Sequence, residues 1–332
     1  MNRLGIITSG GDAPGMNAAV RAATRQAIAL GMEVWGVRDG FQGLCNDNLV
    51  PLGSRDVGGI LQRGGTVLGT ARCEEFLHAP GRKRAFECLQ RYGIDGLLMI
   101  GGDGSIAGSQ KLLEEHGVPV IAVPATIDND VAATDMAIGV DTALNTAVDA
   151  ISKLRDTAAS HQRTFVIETM GRHCGYLALV VGVASGAEAI LVPEFPYDLD
   201  GVVQKVHDGM KRGKKHSFIV VAEGIRDQFE LEKFESPAHK IAEYIYDQTG
   251  KQYDVRVTVL GHVQRGGAPT VFDRVLASRM GAAAVQRLVD GETGIMLGLQ
   301  RNELVNVRFT DVIGQTRELD EHLMKLAYTI AE

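Results

Sequence analysis

Short, continuously apolar runs alternate along this chain with longer segments whose apolar residues recur every three or four positions. The runs are Leu4 to Thr8, Glu33 to Val37, Gly96 to Ile100, Pro119 to Val123, Thr164 to Glu168, Ala189 to Val192, Phe218 to Ala222 and Val255 to Leu260. A strand that is apolar on both faces belongs in a parallel sheet covered by helices on each side, and parallel pairing needs crossover helices. Helices are predicted at Met16 to Leu30, Gly81 to Tyr92, Ser105 to His116, Thr142 to Ser160, Asp200 to Arg212, Ala238 to Thr249 and Phe272 to Asp290. Gly31, Gly93, Gly117 and Gly250 stand where helices commonly end. The predicted fold class is α/β.

Composition narrows the function classes. The 332 residues allow about two domains, although no low-complexity linker or short repeat marks a boundary. Forty glycines against nine prolines suit an α/β protein with many tight turns better than a helical bundle. The 34 Lys and Arg against 41 Asp and Glu leave a net charge of −7, which offers no basic field for a nucleic-acid backbone. Cys45, Cys73, Cys88 and Cys174 form no C-x-x-C pair or zinc-type cluster, so free thiols in a reducing cytoplasm are expected. A strand starts directly after Met1-Asn2-Arg3, and the most apolar stretch, Tyr176 to Val192, is broken by Ser185, Gly186 and Glu188. Neither secretion nor membrane insertion is expected. Arg226 to His239, with Glu230, Glu232, Lys233 and Glu235, reads as a solvated loop.

Three strands end in loops rich in glycine and acid. The first, Thr8-Ser9-Gly10-Gly11-Asp12-Ala13-Pro14-Gly15-Met16-Asn17, runs into a helix, where free N–H groups and the dipole suit a phosphate. It is not a Walker A loop, and alone it reads as a tight turn. The second, Gly101-Gly102-Asp103-Gly104-Ser105, carries a carboxylate that would repel bare pyrophosphate but welcome a phosphate chain bearing Mg²⁺. Its rival reading is that Asp103 caps the following helix. The third, Thr126-Ile127-Asp128-Asn129-Asp130, puts two carboxylates at a strand's carboxyl end, where open α/β sheets bind ligands. One could act as base toward a hydroxyl while the other orients it or helps hold a cation.

The second half supplies cations in apolar contexts: Arg163, Arg172, Arg256, His262 and Arg265. Arg256, within an apolar strand, is expected to be a buried guanidinium in need of an anion. A sugar phosphate would satisfy several of these cations together.

Taken in order, Thr8 to Asn17, Gly69-Thr70-Ala71-Arg72, Gly101 to Ser105, Thr126 to Asp130, Met170-Gly171-Arg172 and Gly261 to Gly267 closely resemble the bacterial 6-phosphofructokinase family over nearly the whole chain. The resemblance implies two similar three-layer α/β domains with mainly parallel sheets and the active site in the cleft between them. The larger, nucleotide-binding domain would comprise 1–139 plus about 257–306. The smaller, sugar-phosphate-binding domain would comprise about 140–256 plus 307–332. Asp128 would take the proton from the 1-hydroxyl of fructose 6-phosphate as it attacks the γ-phosphoryl of ATP, with Asp130 assisting and Asp103 serving Mg²⁺. Arg72, Arg172 and Thr126 would stabilise the transferring group. Gly11, Arg72, Cys73, Gly102, Asp103, Gly104 and Ser105 would line the nucleotide site. The sugar would meet Thr126, Ile127, Asp128, Met170, Gly171, Arg172, Glu223, His262 and Arg265, with Arg163 and Arg256 reaching in from a neighbouring subunit of a homotetramer.

The same resemblance implies an effector site for ADP and phosphoenolpyruvate at Arg21, Arg25, Arg155, Ser185, Gly186, Ala187, Arg212, Lys214, Lys215 and His216. Ser54 stands where many relatives carry arginine, and the 226–239 loop is longer than in the shorter members, so weakened or altered effector control is expected. Pyrophosphate-using relatives look like Gly-Gly-Asp-Asp with a lysine before Thr-Ile-Asp-Asn-Asp. Here Gly104 and Ala125 take those places, and glycine leaves room for a nucleotide where a carboxylate would crowd and repel it. Ala125 itself departs from the glycine usual in the ATP enzymes. A catalytically silent sugar-phosphate or nucleotide sensor is the rival from another class. A NAD-dependent dehydrogenase fits worst, lacking an acid-tipped second strand for the ribose.

Overall fold

The structure, a computed structural model, describes residues 1–161, 163–232 and 235–331. The chain divides into two compact units. The first comprises Met1–Ile127, Val131–Thr142 and Arg265–Arg317, and the second Asp128–Asp130, Ala143–Gln264 and Glu318–Glu332.

The first unit is built on a seven-stranded sheet. Its strands are β1 (Arg3–Ser9), β2 (Glu33–Val37), β3 (Leu49–Pro51), β4 (Gly96–Gly101), β5 (Val120–Pro124), β10 (Ile295–Gln300) and β11 (Glu303–Arg308), in the order β11-β10-β5-β4-β1-β2-β3. The central strands are parallel, and only the two edge strands β3 and β11 run antiparallel to their neighbours. Because successive side chains face opposite sides, the interior strands bury two apolar faces. Ile7, Leu97, Met99, Val120 and Ala122 pack under α2 (Gly40–Cys45), α3 (Ala79–Arg91) and α4 (Asp103–His116). The opposite face is covered by α1 (Met16–Ala29) and α9 (Val271–Val289), which also pack on each other. Each fully buried aliphatic side chain contributes roughly 1.5–3 kcal/mol, which is why these runs are continuous in the sequence.

The second unit repeats the layering on a four-stranded parallel sheet, ordered β7-β8-β6-β9. Its strands are β6 (Arg163–Thr169), β7 (Ala189–Leu191), β8 (Ser217–Ala222) and β9 (Asp254–Val259). One face packs Phe165, Ile167, Phe218 and Val220 under α5 (Val140–His161), α6 (Tyr176–Ser185) and α10 (Glu321–Ile330). The other packs Val166, Ile219 and Val221 under α7 (Leu199–Lys211) and α8 (Pro237–Gln248).

Boundaries expected near 139, 256 and 306 thus fall at 142, 264 and 317. Strand β9 pairs with β6 and holds its segment in the second unit, while β11 pairs with β10 and holds residues past 306 in the first. Strands β3, β10 and β11 and helices α2, α6 and α10 were not expected. Strand β10 carries Gly298, where a methyl would fall 2.7 Å from the Ala133 carbonyl oxygen; such a glycine marks a close backbone approach and weakens the strand signal. Strand β11 is a half-exposed edge, so it lacks a continuous apolar run. Gly31, Gly93, Gly117 and Gly250 all have left-handed φ at helix ends, as expected. In the 226–239 region, a 3-10 turn over Glu223–Gln228 and the start of α8 bracket the loop; Lys233 lies outside the described residues.

Candidate functional site

In the first unit, β1, β4 and β5 end level with one another: Ser9 pairs with Gly101, and Gly101 with Pro124. The chain winds from β1 toward β2 on one side and from β4 toward β5 on the other, so the carboxyl ends of β1 and β4 form a topological switch point. All three loops singled out in the sequence start from this row of strand ends.

The glycines let the loops approach. A methyl at Gly101 would lie 2.4 Å from the Ser9 carbonyl oxygen. Gly10 takes φ +88 beside Ser105. Thr126 donates its backbone N–H to the Ile138 carbonyl at 3.1 Å, and Ala125 to Gly101 at 2.9 Å. The Arg63–Thr70 segment is laced to the first loop: Thr70 Oγ donates to the Gly10 carbonyl at 2.7 Å, and Thr8 Oγ to that of Gly69 at 2.8 Å. Asn17 donates to the carbonyls of Arg63 and Gly64 and accepts from Val67. This segment leads into Arg72, which is exposed, and Cys73, which is half-buried. Arg265 donates to the Asp12 carbonyl at 3.2 Å, with its guanidinium close to Gly11.

Helix α4 starts at Asp103 with Gly102 at its cap position and no side-chain cap. Asp103 is therefore the first helical residue rather than the cap, and its carboxylate is exposed, as is Gly104. Nothing stands within 4 Å of a methyl built at Gly104, whereas Ser105 is buried beneath the loops.

In the second unit, Asp128 is 3% exposed and Asn129 fully buried with φ 52. Both acids lie near Cys174, whose thiol is pushed up to about 12, chiefly by burial and then by the charges of Glu194, Asp130 and Asp128. The Met170-Gly171-Arg172 loop after β6 is held through three successive backbone N–H groups. Gln264 Oε1 accepts from Met170 at 2.8 Å, and Glu223 Oε1 from Gly171 at 3.2 Å and Arg172 at 2.8 Å. Arg172 itself has φ 52, a left-handed backbone uncommon for a residue with a Cβ. Its side chain is exposed. His262 is exposed in the 3-10 turn Gly261–Arg265, where the chain passes from the second unit to the first.

Arg256 is not the buried guanidinium expected. Strand β9 is the sheet edge, Arg256 is exposed there, and it pairs with Asp254 at 2.8 Å. Arg163 reaches the same carboxylate, also at 2.8 Å. The apolar residues around Arg256 suggested burial only because an edge strand and a central one share a local pattern.

Among the effector candidates, Arg155 donates to the Ser185 carbonyl, stands 3.4 Å from His216 Nε2 and lies over the Phe218 ring at 4.7 Å. Burial and then Arg155 hold the His216 imidazole below its usual range. Lys214 pairs with Glu188 at 3.5 Å. Gly186 has φ +61 beside buried Ala187, and Arg212 and Lys215 are exposed. Arg21 and Arg25 lie on α1 of the first unit, Arg25 exposed. Ser54 and Arg55 are exposed in a turn. Among the described residues, no cluster of three or more His, Cys, Asp or Glu could hold a metal ion, and no helix is long and apolar enough to cross a membrane.

Sequence reasoning passed over Gln264 although it stands in the Gly261 to Gly267 motif, and it passed over Asp273. Asp273 is buried, and burial pushes its carboxyl above the usual range even though Gly139 and Thr142 donate to it. Nothing local distinguishes either residue from a surface polar side chain.

The sequence model of the phosphofructokinase family matches residues 3–288. The chain belongs to the phosphofructokinase family. A phosphofructokinase relative from Halalkalibacterium halodurans, named ATP-dependent 6-phosphofructokinase, is 50% identical over 331 residues, covering 100% of both chains. The phosphofructokinase of Pichia pastoris is 35% identical with a TM-score of 0.86, over 99% of this chain and 36% of its own, so the chain spans about a third of it. A pyrophosphate-dependent phosphofructokinase from Nitrosospira multiformis shares the fold, with a TM-score of 0.86 at 23% identity over 96% of this chain and 86% of its own. A phosphofructokinase named for pyrophosphate thus shares this architecture, and the fold alone does not select the donor.

Proposed function

We propose that the chain transfers the γ-phosphoryl group of ATP to the 1-hydroxyl of D-fructose 6-phosphate, giving fructose 1,6-bisphosphate and ADP, the committed step of glycolysis. The observation that carries this reading is the 50% identity, over the whole of both chains, to a relative named as the ATP-dependent enzyme. The open flank at Gly104 supports ATP over pyrophosphate, since a triphosphate nucleotide needs the room that a side-chain carboxylate would occupy.

Phosphoryl transfer is mostly positioning and charge neutralisation. Gly11, Arg72, Cys73 and Gly102 to Ser105 bind the nucleotide in this reading. Asp103 suits Mg²⁺ delivered on the triphosphate: its carboxylate is exposed and is not spent on capping α4, and Mg²⁺ takes one or two carboxylates while keeping water and phosphate oxygens. Mg²⁺ would neutralise charge on the phosphate oxygens. Thr126, Ile127, Asp128, Met170, Gly171, Arg172, Glu223, His262 and Arg265 bind the sugar phosphate. Asp128 removes the proton of the attacking hydroxyl, Asp130 assists it, and Arg72, Arg172 and Thr126 stabilise the transferring group. Burial of Asp128 supports its role, because a side chain withdrawn from bulk water is held in place to meet a bound hydroxyl rather than solvent.

We further assign Arg163 and Arg256 to a neighbouring subunit's sugar site within a cytoplasmic homotetramer. Their shared partner Asp254 keeps both guanidinium groups together at the sheet edge. ADP and phosphoenolpyruvate are the effectors, with a response weakened or altered by Ser54 and the longer 226–239 loop; unchanged activation and inhibition in kinetic assays would refute that.

Purified protein supplied with fructose 6-phosphate and Mg²⁺, and offered ATP or pyrophosphate in turn, tests the reading. Product is expected with ATP. Product with pyrophosphate alone would overturn the donor, and no product with either would overturn the reaction.

A further inference from the structure

The 170–172 loop has an unusual restraint. Three consecutive backbone N–H groups, those of Met170, Gly171 and Arg172, are each taken by a side chain from elsewhere in the second unit. Such a ladder fixes a backbone that Arg172 disfavours, at φ 52, next to Gly171 at φ 139, which glycine adopts readily. A methyl at Gly171 would lie 2.3 Å from the Cys174 carbonyl oxygen. Glu223 holds the last two N–H groups, and the first is held by Gln264, which is fully buried. Only the acceptor end of its amide is engaged in the protein, since Nε2 is buried without a hydrogen-bond partner. An orphaned buried donor is costly, so packing alone would be better served by an apolar side chain of the same shape. What the amide supplies is one oxygen acceptor at one backbone N–H.

We propose that Gln264 is a positioning residue for the acceptor sugar. Through Met170 it sets the start of the loop that presents Arg172, and it belongs to the same 3-10 turn that carries His262. This rests on the proposed reaction. It assigns to Gln264 a selective effect on the sugar and none on the nucleotide, whose candidate residues belong to the first unit.

Gln264→Met keeps the volume and removes the acceptor. It eliminates one orphaned donor and creates another at Met170, so global stability is expected to change little. The KM for fructose 6-phosphate should rise roughly tenfold, the effect of losing about one hydrogen bond's worth of positioning, with the KM for ATP within about twofold of wild type. Gln264→Glu retains an oxygen acceptor in either protonation state and should restore the sugar KM most of the way. Wild-type protein assayed in parallel separates the two claims: a wild type that does not turn over fructose 6-phosphate fails the proposed reaction. An active wild type with a Met variant unchanged in sugar KM fails the inference alone. A Met variant that does not fold, or that loses kcat and both KM values together, assigns Gln264 to the fold and overturns its positioning role. A Glu variant no better than the Met variant would overturn the acceptor argument.

Discussion

Asp273 of α9 accepts the backbone N–H of Thr142 at 2.8 Å, so the first turn of α5 is capped by a side chain 131 residues downstream. The same carboxylate accepts the Gly139 N–H at 2.9 Å, one residue past Ile138, whose carbonyl holds the Thr126 N–H. The return contacts are Thr270, which caps α9, donating its hydroxyl to Asp141 at 2.6 Å. The start of α5 is thereby capped from α9, whose own cap residue is tied back to Asp141. Asp273→Ala should cost about 2–4 kcal/mol, the cost of leaving several buried donors unmet, and Asp273→Asn, which keeps an acceptor, distinctly less. Urea unfolding of both variants checks this; an alanine variant as stable as wild type would remove Asp273 from the account.

Asp128→Asn is expected to lower kcat by ~10²–10⁴-fold, the usual effect of losing a general base, with the KM for fructose 6-phosphate largely kept. Steady-state kinetics decide it, and near-normal turnover would count against the base.

Gly104→Asp separates folding from donor choice. The position is open and in the first turn of α4, where an acid is favourable to the helix dipole by roughly 0.3–1 kcal/mol. The variant should be at least as stable as wild type while its KM for ATP rises about tenfold or more through repulsion of the phosphates. An unchanged ATP KM would show that the nucleotide does not pass this residue.

Asp254 should shape the acid limb of stability. The Arg163 hydrogen bond first, and Arg256 with it, hold its carboxyl below the usual carboxylate range. A carboxyl depressed in the folded state stabilises above its unfolded pKa of about 4, and that contribution is lost as pH falls through the lower folded value. The pair is partly exposed, so the contribution is at most about 1 kcal/mol. Asp254→Asn is expected to flatten the loss of stability below about pH 4 relative to wild type; parallel acid limbs in the two thermal melts would refute the pairing.

The central strands and the three glycine-and-acid loops were legible because their causes are local. A strand buried on two faces must be continuously apolar, and a loop at a strand end that must approach another backbone must be glycine. Ser9, Gly101 and Pro124 end level, each one residue past the end of its apolar run. Arg256 was misjudged because the difference between a central strand and the edge strand β9 is set by which strand pairs next. Strand β11 was invisible for the same reason.

By itself, then, the order of apolar and polar residues determined the α/β class, the crossover helices and the glycine-and-acid loops at the strand ends, since each depends on neighbours a few positions apart. Only the tertiary structure decided that Gln264 and Glu223 hold the Arg172 loop, that Asp273 caps α5 and that Asp103 is not a cap. Those are hydrogen bonds between segments remote along the chain, or a choice between two local donors and acceptors, and a side chain's spacing in sequence does not say which distant N–H it will meet.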